Sequence, residues 1–417
     1  MIWIKNIHQL ATLAGGQKGP RSKEAMSELG LIEDGSLLIE DGKIKAAGTT
    51  KELKEAYAAE VQDAEIIDGS GCLVTPGLID PHTHVAFGGS REREFEMRLE
   101  GVSYMDIMNA GGGIHATARM TREATEEEII EQTTSRLDSF LKHGVTTVEG
   151  KSGYGMDLET ELKQLKVMKR LQGEHPIDLV PTFMGAHAVP PDYKGREDDF
   201  VDYIINEILP VVAEEKLAEF NDVFCEKDVY TPEQSERILI AGKELGLLPK
   251  IHADEIVSYG GAELAAKVGA VSAEHLLKAS DEGIKALAEA GTIACLLPAT
   301  ALFLREEVAK GRQMIDEGVA VAISTDCNPG SSPTTSMPLV MNLACILMRM
   351  TPAEALTAAT YNAACAIRRE DSVGSLEVGK QADIAMWNVK NYQELQYLFG
   401  VNHLKTLWKK GVKVVGE

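Results

Sequence analysis

Two histidines separated by one residue, His82 and His84, close an apolar segment that runs through Leu78 and Ile79. On a β-strand, residues i and i+2 point to the same face, so both imidazoles could reach one metal ion. A polar strand end would give the same spacing. Unpaired polar groups, however, rarely end a buried strand without a partner. The pair therefore indicates metal ligation, provided that further ligands follow downstream.

Two later positions supply such ligands. Together with the histidine pair, His252 and Asp326 would give three neutral nitrogens and one carboxylate. That set suits zinc or a similar divalent ion with one position left open for water. A water bound there would have its pKa lowered towards ~7, which makes hydroxide available at neutral pH. Taken singly, His252 is better explained as a hydrogen-bonded core histidine, and the four positions together favour ligation.

Two candidates for proton transfer lie near these ligands. Glu255 follows His252 by three residues and could deprotonate the water and pass the proton to a leaving nitrogen. The alternative is a solvated loop acid, since Asp254 is adjacent. His275 could hydrogen-bond the water or polarise a carbonyl, or it could be structural, and spacing does not separate these readings. Lys227 could bridge two metals if carboxylated, but its acidic neighbours favour a surface ion pair.

The elements that must position these residues alternate between short apolar strands and helical patterns. Helices are predicted over residues 125–143 and 158–172, and eight strands over residues 78–85, 144–151, 178–185, 218–225, 249–255, 270–276, 292–298 and 319–326. Eight such units predict a (β/α)₈ barrel of the TIM type, which carries its chemistry at the C-terminal strand ends. Five of the ten histidines (82, 84, 187, 252 and 275) fall at those ends. A doubly wound sheet is the alternative, but no Gly-x-Gly-x-x-Gly follows the first strand.

The two ends of the chain are both rich in β patterns, and neither forms a plausible core alone. Residues 36–48 read as a hairpin around Asp41-Gly42, and residues 382–387 and 406–415 read as further strands. We therefore expect one small β-sandwich domain built from the N- and C-terminal segments. The predicted division is 1–72 and 373–417 for this domain, with the barrel over 73–372.

Composition narrows the class of protein. A formal net charge of −22 argues against nucleic acid or an anionic membrane as partner, and an anionic substrate would need a local cation. No apolar run reaches the ~20 residues that a spanning helix needs. The six cysteines are scattered without a Cys-x-x-Cys spacing, which favours reduced thiols and a cytoplasmic location.

With these residues placed, the chain resembles the amidohydrolase superfamily, and within it the imidazolonepropionase family. The resemblance runs over nearly the whole length. Its most specific segments are residues 82–95, 110–114, 151–155, 185–187, 252–255 and 326–331. A closing segment at 373–383 is common across the superfamily and carries fold information alone.

The resemblance implies a cytoplasmic hydrolase of histidine degradation with one divalent metal, zinc or iron, on His82, His84, His252 and Asp326. It implies proton-transfer roles for Glu255, His275 and Asp326. The implied substrate is a small anion, an imidazolone ring with a propionate arm, and its implied contacts are Arg91, Tyr154, His187, Glu255, Asn328, Gly330 and Ser331. A homodimer is expected on the resemblance alone.

The chemistry of these residues agrees with that substrate. Arg91 could bind the propionate as a bidentate pair and supply the cation that the acidic background requires. Tyr154 could donate a further hydrogen bond, or be an ordinary loop tyrosine, and residues 328–331 could present amide and hydroxyl groups or form a plain Asn-Pro-Gly turn. Gly150 departs from the apolar residue expected before Lys151 and could loosen the Tyr154 loop.

Two rival readings stay open at this point. One is another amidohydrolase activity, such as a deaminase or a cyclic-amide hydrolase with two metals. The other is a metal-free, non-catalytic scaffold on the same fold, which predicts missing ligands.

Overall fold

The computed structural model describes residues 1–16, 18–102, 106 and 111–416. Ala110, the first residue of the 110–114 segment, lies outside these residues.

The described strands form two eight-stranded sheets. In chain order they are β1 (Ile2–Ala11), β2 (Leu31–Glu40), β3 (Lys43–Thr49), β4 (Glu65–Asp68), β5 (Leu73–Pro76), β6 (Leu78–Asp80), β7 (Val145–Lys151), β8 (Asp178–Ala186), β9 (Phe220–Cys225), β10 (Leu248–Ala253), β11 (Ser272–His275), β12 (Ile293–Leu296), β13 (Val321–Ile323), β14 (Ile384–Trp387), β15 (Leu404–Lys409) and β16 (Val412–Val415).

The strands β6 to β13 pair in sequential order and in parallel, which is the arrangement of a (β/α)₈ barrel. All eight predicted strands are present, so the predicted fold is confirmed. Between β13 and β6 the ring is closed by side chains and loop backbone. Asp80 accepts hydrogen bonds from the hydroxyls of Ser324 and Thr325, and the N–H of His84 donates to the carbonyl of Cys327 at 3.0 Å.

The prediction that His82 and His84 lie on a strand is wrong, because β6 ends at Asp80. Pro81 has no N–H to donate, which interrupts the ladder. Beyond it the segment is still held against β7, whose last residue donates its N–H to the carbonyl of Thr83 at 2.8 Å. The two histidines therefore extend from the C-terminal end of the strand in an irregular but fixed segment.

Most of the described helices surround the barrel, whereas Thr50–Ala56 packs Leu53 against β2 and β3. The predicted helices at 125–143 and 158–172 are observed as Glu126–Lys142 and Leu158–Glu174, each started by a side-chain cap, from Thr125 and Asp157. The others are Thr50–Ala56, Glu92–Leu99, Ile114–Glu123, Glu197–Tyr203, Leu209–Glu214, Pro232–Glu244, Gly261–Val268, Asp281–Ala290, Pro298–Leu304, Gly311–Glu317, Met337–Met348, Pro352–Ala358, Tyr361–Ala366 and Tyr392–Tyr397. Within the described ranges, no helix combines the length and apolar character needed to cross a membrane.

The second sheet combines both ends of the chain, as predicted. Its order is β16-β15-β14-β5-β1-β2-β3, with β4 beside β1. It encloses its own apolar core, which includes Ile4, Ile7, Leu37, Val74 and Trp408. The division of the chain into domains stays a proposal. The pairing of β5 with β1 and β14 carries the terminal sheet to Pro76, beyond the predicted boundary at residue 72.

A close contact joins this sheet to the barrel. The ring of Trp387 is fully buried, and its Nε1–H donates to the hydroxyl of Thr75 at 3.0 Å. Gly144, just before β7, has φ +83°, and a Cβ placed on it would lie 2.6 Å from Trp387 Cη2. Only glycine satisfies both the positive φ and this approach.

We predict that Gly144→Ala lowers the free energy of unfolding by about 2–4 kcal/mol, because a left-handed conformation and overpacking of the indole both act against it. Urea unfolding followed by circular dichroism measures the change. The matched control is Gly173→Ala, at a helical position where a Cβ meets nothing within 4 Å. An unchanged midpoint for Gly144→Ala would contradict this account of the contact.

Candidate active site

The four predicted metal ligands come together at the C-terminal end of the barrel. Asp326 Oδ1 lies 3.6 Å from His82 Nε2 and 3.8 Å from His84 Nε2. The rings of His82 and His252 have centroids 4.5 Å apart. All four side chains are buried. Residues far apart in the chain thus present nitrogen and oxygen atoms to one small volume.

The hydrogen bonds of two of these histidines fit a metal site. His82 Nδ1 donates to Glu274 Oε2 at 2.9 Å, and His252 Nδ1 donates to Asp222 Oδ2 at 3.1 Å. A carboxylate acceptor at Nδ1 fixes the proton there and leaves a lone pair on Nε2. Both Nε2 atoms are buried and have no hydrogen-bond partner among the described residues. These unpartnered lone pairs match what a divalent cation needs.

Asp326 is oriented in a complementary way. Its Oδ2 accepts a hydrogen bond from Thr300 Oγ1 at 2.7 Å, which leaves Oδ1 facing the imidazoles. Burial raises the pKa of Asp326 to about 6. Its backbone has φ +54°, and His275 has φ +69°. Such values are uncommon outside glycine and are typical of residues held for a function.

Two more histidines border the same volume. His187 stacks on His84 with a centroid distance of 4.6 Å, and His275 lies 5.1 Å from His252. Each could also contribute a ligand atom, since His84, His187 and His252, or His82, His252 and His275, offer atoms within 4.8 Å of one another. Burial, followed by the effect of His252, lowers the pKa of His187 to about 3 and that of His275 well below its usual range. Both rings are therefore neutral near pH 7.

Glu255 lies beside His275, with 3.6 Å between Glu255 Oε1 and His275 Nδ1. Its side chain keeps 17% of its surface exposed. Burial of the carboxyl, and then the charge of Asp326, raise its pKa to about 8. The adjacent Asp254 has a separate task, since its oxygens accept the N–H groups at the start of the helix Gly261–Val268. Glu255 is thus the acid of this pair that faces the histidines.

Lys227 lies outside this arrangement. Its side chain is exposed, and its backbone N–H donates to Glu226 Oε1 at 2.8 Å. The structure therefore gives no support to a carboxylated lysine at this position bridging two metals.

The sequence prediction missed the charged side chains below the histidines: Glu149, Lys151, Asp222, Lys250 and Glu274, all fully buried. A signal for them was present. Strands of a parallel barrel are buried on both faces and are normally apolar, so charged residues inside them are unusual. Lys250 and His252 are also two apart on β10, which places both side chains on the same face.

The loop that carries Tyr154 is tightly held. Glu161 accepts hydrogen bonds from the N–H groups of Gly153 and Gly155 at 3.1 and 2.7 Å, and Gln164 accepts that of Tyr154 at 3.1 Å. Gly150 is packed rather than loose, since a Cβ there would lie 2.5 Å from Met168 Sδ. The suspected loosening of this loop by Gly150 therefore has no support in the contacts. Tyr154 itself is buried, with its ring 5.6 Å from that of His84.

A cavity of about 510 Å³ is lined by residues other than the histidines. Part of its wall comes from the segments that directly follow the candidate ligands His84 and Asp326, and includes Phe87, Arg91 and Asn328. Arg91 donates two hydrogen bonds to Glu94 Oε2, from Nε at 2.9 Å and from Nη2 at 2.7 Å. A second guanidinium, that of Arg98, lines the same cavity. This cavity thus offers positive charge on segments that continue from two of the candidate ligands.

The loop after Asp326 is shaped by Asn328. Its Oδ1 accepts the N–H groups of Gly330 and Ser331, both at 2.8 Å, and its Nδ2 donates to the carbonyl of Asp326 at 2.8 Å. Gly330 is required by a close approach, because a Cβ there would overlap Arg91 Nη1. This turn therefore links the ligand Asp326 to the position of Arg91.

Comparison with known proteins places the chain in a family. The amidohydrolase family model matches residues 250–414. An imidazolonepropionase of Brevibacillus brevis is 63% identical over 416 residues, covering 100% of this chain and 98% of that protein. An imidazolonepropionase of Clostridium tetani is 53% identical over 408 residues, covering 98% and 96%. The chain belongs to the imidazolonepropionase family. This finding confirms the resemblance drawn from the sequence motifs.

Solved structures of more distant proteins share the fold. Guanine deaminase of E. coli is 15% identical, with a TM-score of 0.73 over 100% of this chain and 99% of that one. An adenosine deaminase of Xanthomonas campestris with bound zinc is 18% identical, with a TM-score of 0.69 over 100% and 93%. At these identities the likeness establishes the architecture alone, a barrel with an added β domain.

We predict that His252→Ala weakens binding of a divalent metal by more than about 100-fold, because loss of an outer hydrogen-bond partner alone costs ~10–100-fold. Zinc titration of metal-stripped protein, followed by calorimetry, measures the affinity and the number of ions per chain. The control is His8→Ala, whose side chain is exposed on β1. Equal affinities for the two variants would remove His252 from the ligand set.

Proposed function

We propose that this protein hydrolyses 4-imidazolone-5-propanoate to N-formimidoyl-L-glutamate, a ring-opening step of histidine degradation. The observation that carries the proposal is full-length identity of up to 63% to imidazolonepropionases, in a chain whose His82, His84, His252 and Asp326 meet in one buried site. A metal-free scaffold predicts missing ligands, and the presence of all four argues against it.

The site fits one divalent cation, zinc or iron, held by these four side chains. When bound, such a cation supplies Lewis acidity to a reacting water and to the ring carbonyl. Burial keeps the pKa of His82 well below its usual range, so the ring is neutral. A neutral imidazole suits the role of a metal ligand. A second cation, as in a two-metal cyclic-amide hydrolase, would raise the stoichiometry to about two ions per chain.

Glu255 is the group we assign to proton transfer. It accepts a proton from water as the water adds to the ring carbonyl, and delivers it to the ring nitrogen as the C–N bond breaks. A pKa of about 8 lies close to neutral pH, so that the carboxyl can both take up and release a proton there. To His275, a neutral ring whose Nδ1 lies 3.6 Å from Glu255 Oε1, we assign a hydrogen bond to the water or to the carbonyl oxygen. Asp326 shares the negative charge of the site.

The propionate arm is assigned to the cavity that Arg91 lines. An anionic substrate meets a protein of net charge −22, so a fixed local cation has to bind it. The guanidinium is planar and can bind a carboxylate through two parallel hydrogen bonds. Glu94 accepts hydrogen bonds from Arg91 Nε and Nη2 and so holds the guanidinium in place. We assign contacts with the ring to Tyr154 and His187, which lie beside His84.

We also propose a cytoplasmic location, which the six free cysteines support, since reduced thiols persist in a reducing compartment. A homodimer stays a prediction that rests on family resemblance.

The test of this function is ring opening of imidazolone propionate, followed by absorbance with the metal-loaded protein. We expect Arg91→Ala to lower kcat/KM by ~10–100-fold, mostly through KM, because hydrogen bonds to a charged group are worth about 1.5–3 kcal/mol. Arg93→Ala, exposed on the same helix, is the control. No turnover by the wild-type protein would end the substrate assignment.

Gly330→Ala gives a second prediction for the same end of the substrate. A methyl group there displaces the Arg91 guanidinium, the flexible end of a side chain, so KM should rise while stability hardly changes. In an Arg91→Ala background the same substitution should add little, since the two changes act through one contact. Steady-state kinetics of the single and double variants measure this. Independent, multiplying effects would refute the link between Gly330 and Arg91.

A further inference from the structure

Five charged side chains form a buried ion cluster inside the barrel, directly below the histidines: Glu149, Lys151, Asp222, Lys250 and Glu274. They come from strands β7, β9, β10 and β11, and each is fully buried. Burying so many charges is costly unless each is paired and hydrogen-bonded. A cluster of this kind, next to a candidate metal site, therefore needs an explanation.

Lys151 occupies the centre of the cluster. Its ammonium donates three hydrogen bonds, to Glu149 Oε1 at 2.9 Å, to Asp222 Oδ2 at 2.8 Å and to Glu274 Oε2 at 3.1 Å. Burial would lower the pKa of Lys151, but Asp222, Glu149 and Glu274 raise it well above its usual range. The side chain is therefore a permanent cation with all three of its N–H bonds directed at carboxylates.

Two of those acceptor atoms have a second task. Asp222 Oδ2 also accepts the Nδ1–H of His252, and Glu274 Oε2 also accepts the Nδ1–H of His82. One ammonium thus holds the two oxygen atoms that orient two imidazoles. The distance between those imidazoles, and the direction of their Nε2 lone pairs, depend on where these oxygens sit.

We propose that Lys151 is a positioning residue of the metal site, acting through Asp222 and Glu274 to aim the Nε2 atoms of His252 and His82 at one point. The proposal rests on the function proposed above only in taking these histidines as ligands.

Charge alone predicts the opposite effect on the metal. The cluster holds three carboxylates and two ammonium groups, and Asp326 adds a further carboxylate, so two negative charges remain for a divalent cation to balance. Lys151 is itself a cation, and two cations repel each other. If Lys151 acted only through its charge, its removal would tighten metal binding. If it positions the carboxylates, its removal weakens metal binding.

Lys250 provides a matched comparison within the same cluster. It is equally buried, and it contacts Glu149 Oε2 at 3.1 Å and Glu274 Oε1 at 3.6 Å, with further hydrogen bonds to the carbonyls of Pro81 and Ala366. Its two ion-pair contacts are thus to carboxylate oxygens other than the two that accept hydrogen bonds from His82 and His252. Replacing it changes the charge of the cluster by the same amount as replacing Lys151.

The experiment compares Lys151→Met with Lys250→Met in the full chain. Affinity for Zn²⁺ is measured by competition with a chelator, the ligand geometry by the visible spectrum of the Co²⁺-substituted protein, and stability by urea unfolding without metal. We expect Lys151→Met to weaken Zn²⁺ binding by ~10–100-fold, as for loss of an outer partner of a ligating histidine. We expect its Co²⁺ spectrum to change, while Lys250→Met stays within about threefold of wild type with an unchanged spectrum.

Tighter Zn²⁺ binding by Lys151→Met would show that only its charge matters, and equal losses for the two variants would show a purely structural role. Either result overturns the proposal. If Lys151→Met does not fold, Lys151→Gln, which keeps an uncharged NH₂ group with two donors, is judged by the same criteria. None of the three readouts involves substrate, so a wild-type protein that binds Zn²⁺ but does not open the ring would refute the proposed function and leave this inference standing.

Discussion

The hydrogen bonds from buried imidazoles to buried carboxylates are the constraint on which this structure depends. His82 with Glu274, and His252 with Asp222, each join an imidazole to an acid that has no access to water. A carboxylate in such a place requires compensating cations, because an isolated buried charge is far too costly. The lysines on β7 and β10 meet this requirement. The polar layer in the barrel interior is therefore a consequence of the two histidines, and the apolar core lies outside it, between strands and helices.

This layer also couples the metal site to folding. With three carboxylates, two ammonium groups and Asp326, the interior carries an excess of negative charge that a divalent cation balances. Because the unfolded chain offers no assembled site, the free energy of metal binding adds to that of folding. If these residues hold a metal as proposed, its binding would stabilise the site and the barrel together.

The sequence was sufficient to predict the parts of this structure that depend on apolar periodicity. Each of the eight barrel strands lies within or next to a predicted apolar segment, although β6 and β13 are only three residues long, and histidines marked the ends of some of them. The prediction of the first strand was wrong because Pro81 has no backbone N–H, so that β6 ends before His82. The prediction also missed Asp222 and Glu274 as neighbours of the histidines. His252 lies beside Glu274 because of the register between β10 and β11, and this register cannot be read from spacing along the sequence. The contact between Gly330 and Arg91 was invisible for the same reason, since it joins positions far apart in the chain.

The position of the substrate cavity follows from the same chain segments as the ligands. Arg91 lies a few residues after His84, and the turn at Asn328 follows Asp326 directly, so the two ligand segments continue into the cavity walls. The side-chain amide of Asn328 holds the turn in shape, and the turn sets the position of Gly330. Because Gly330 has no Cβ, the Arg91 guanidinium can approach it closely. A displacement of Asp326 would therefore move the guanidinium as well. In the proposed function, recognition of the carboxylate and binding of the metal would therefore be two ends of one arrangement, which would fix the separation between the charged arm of the substrate and its reacting carbon.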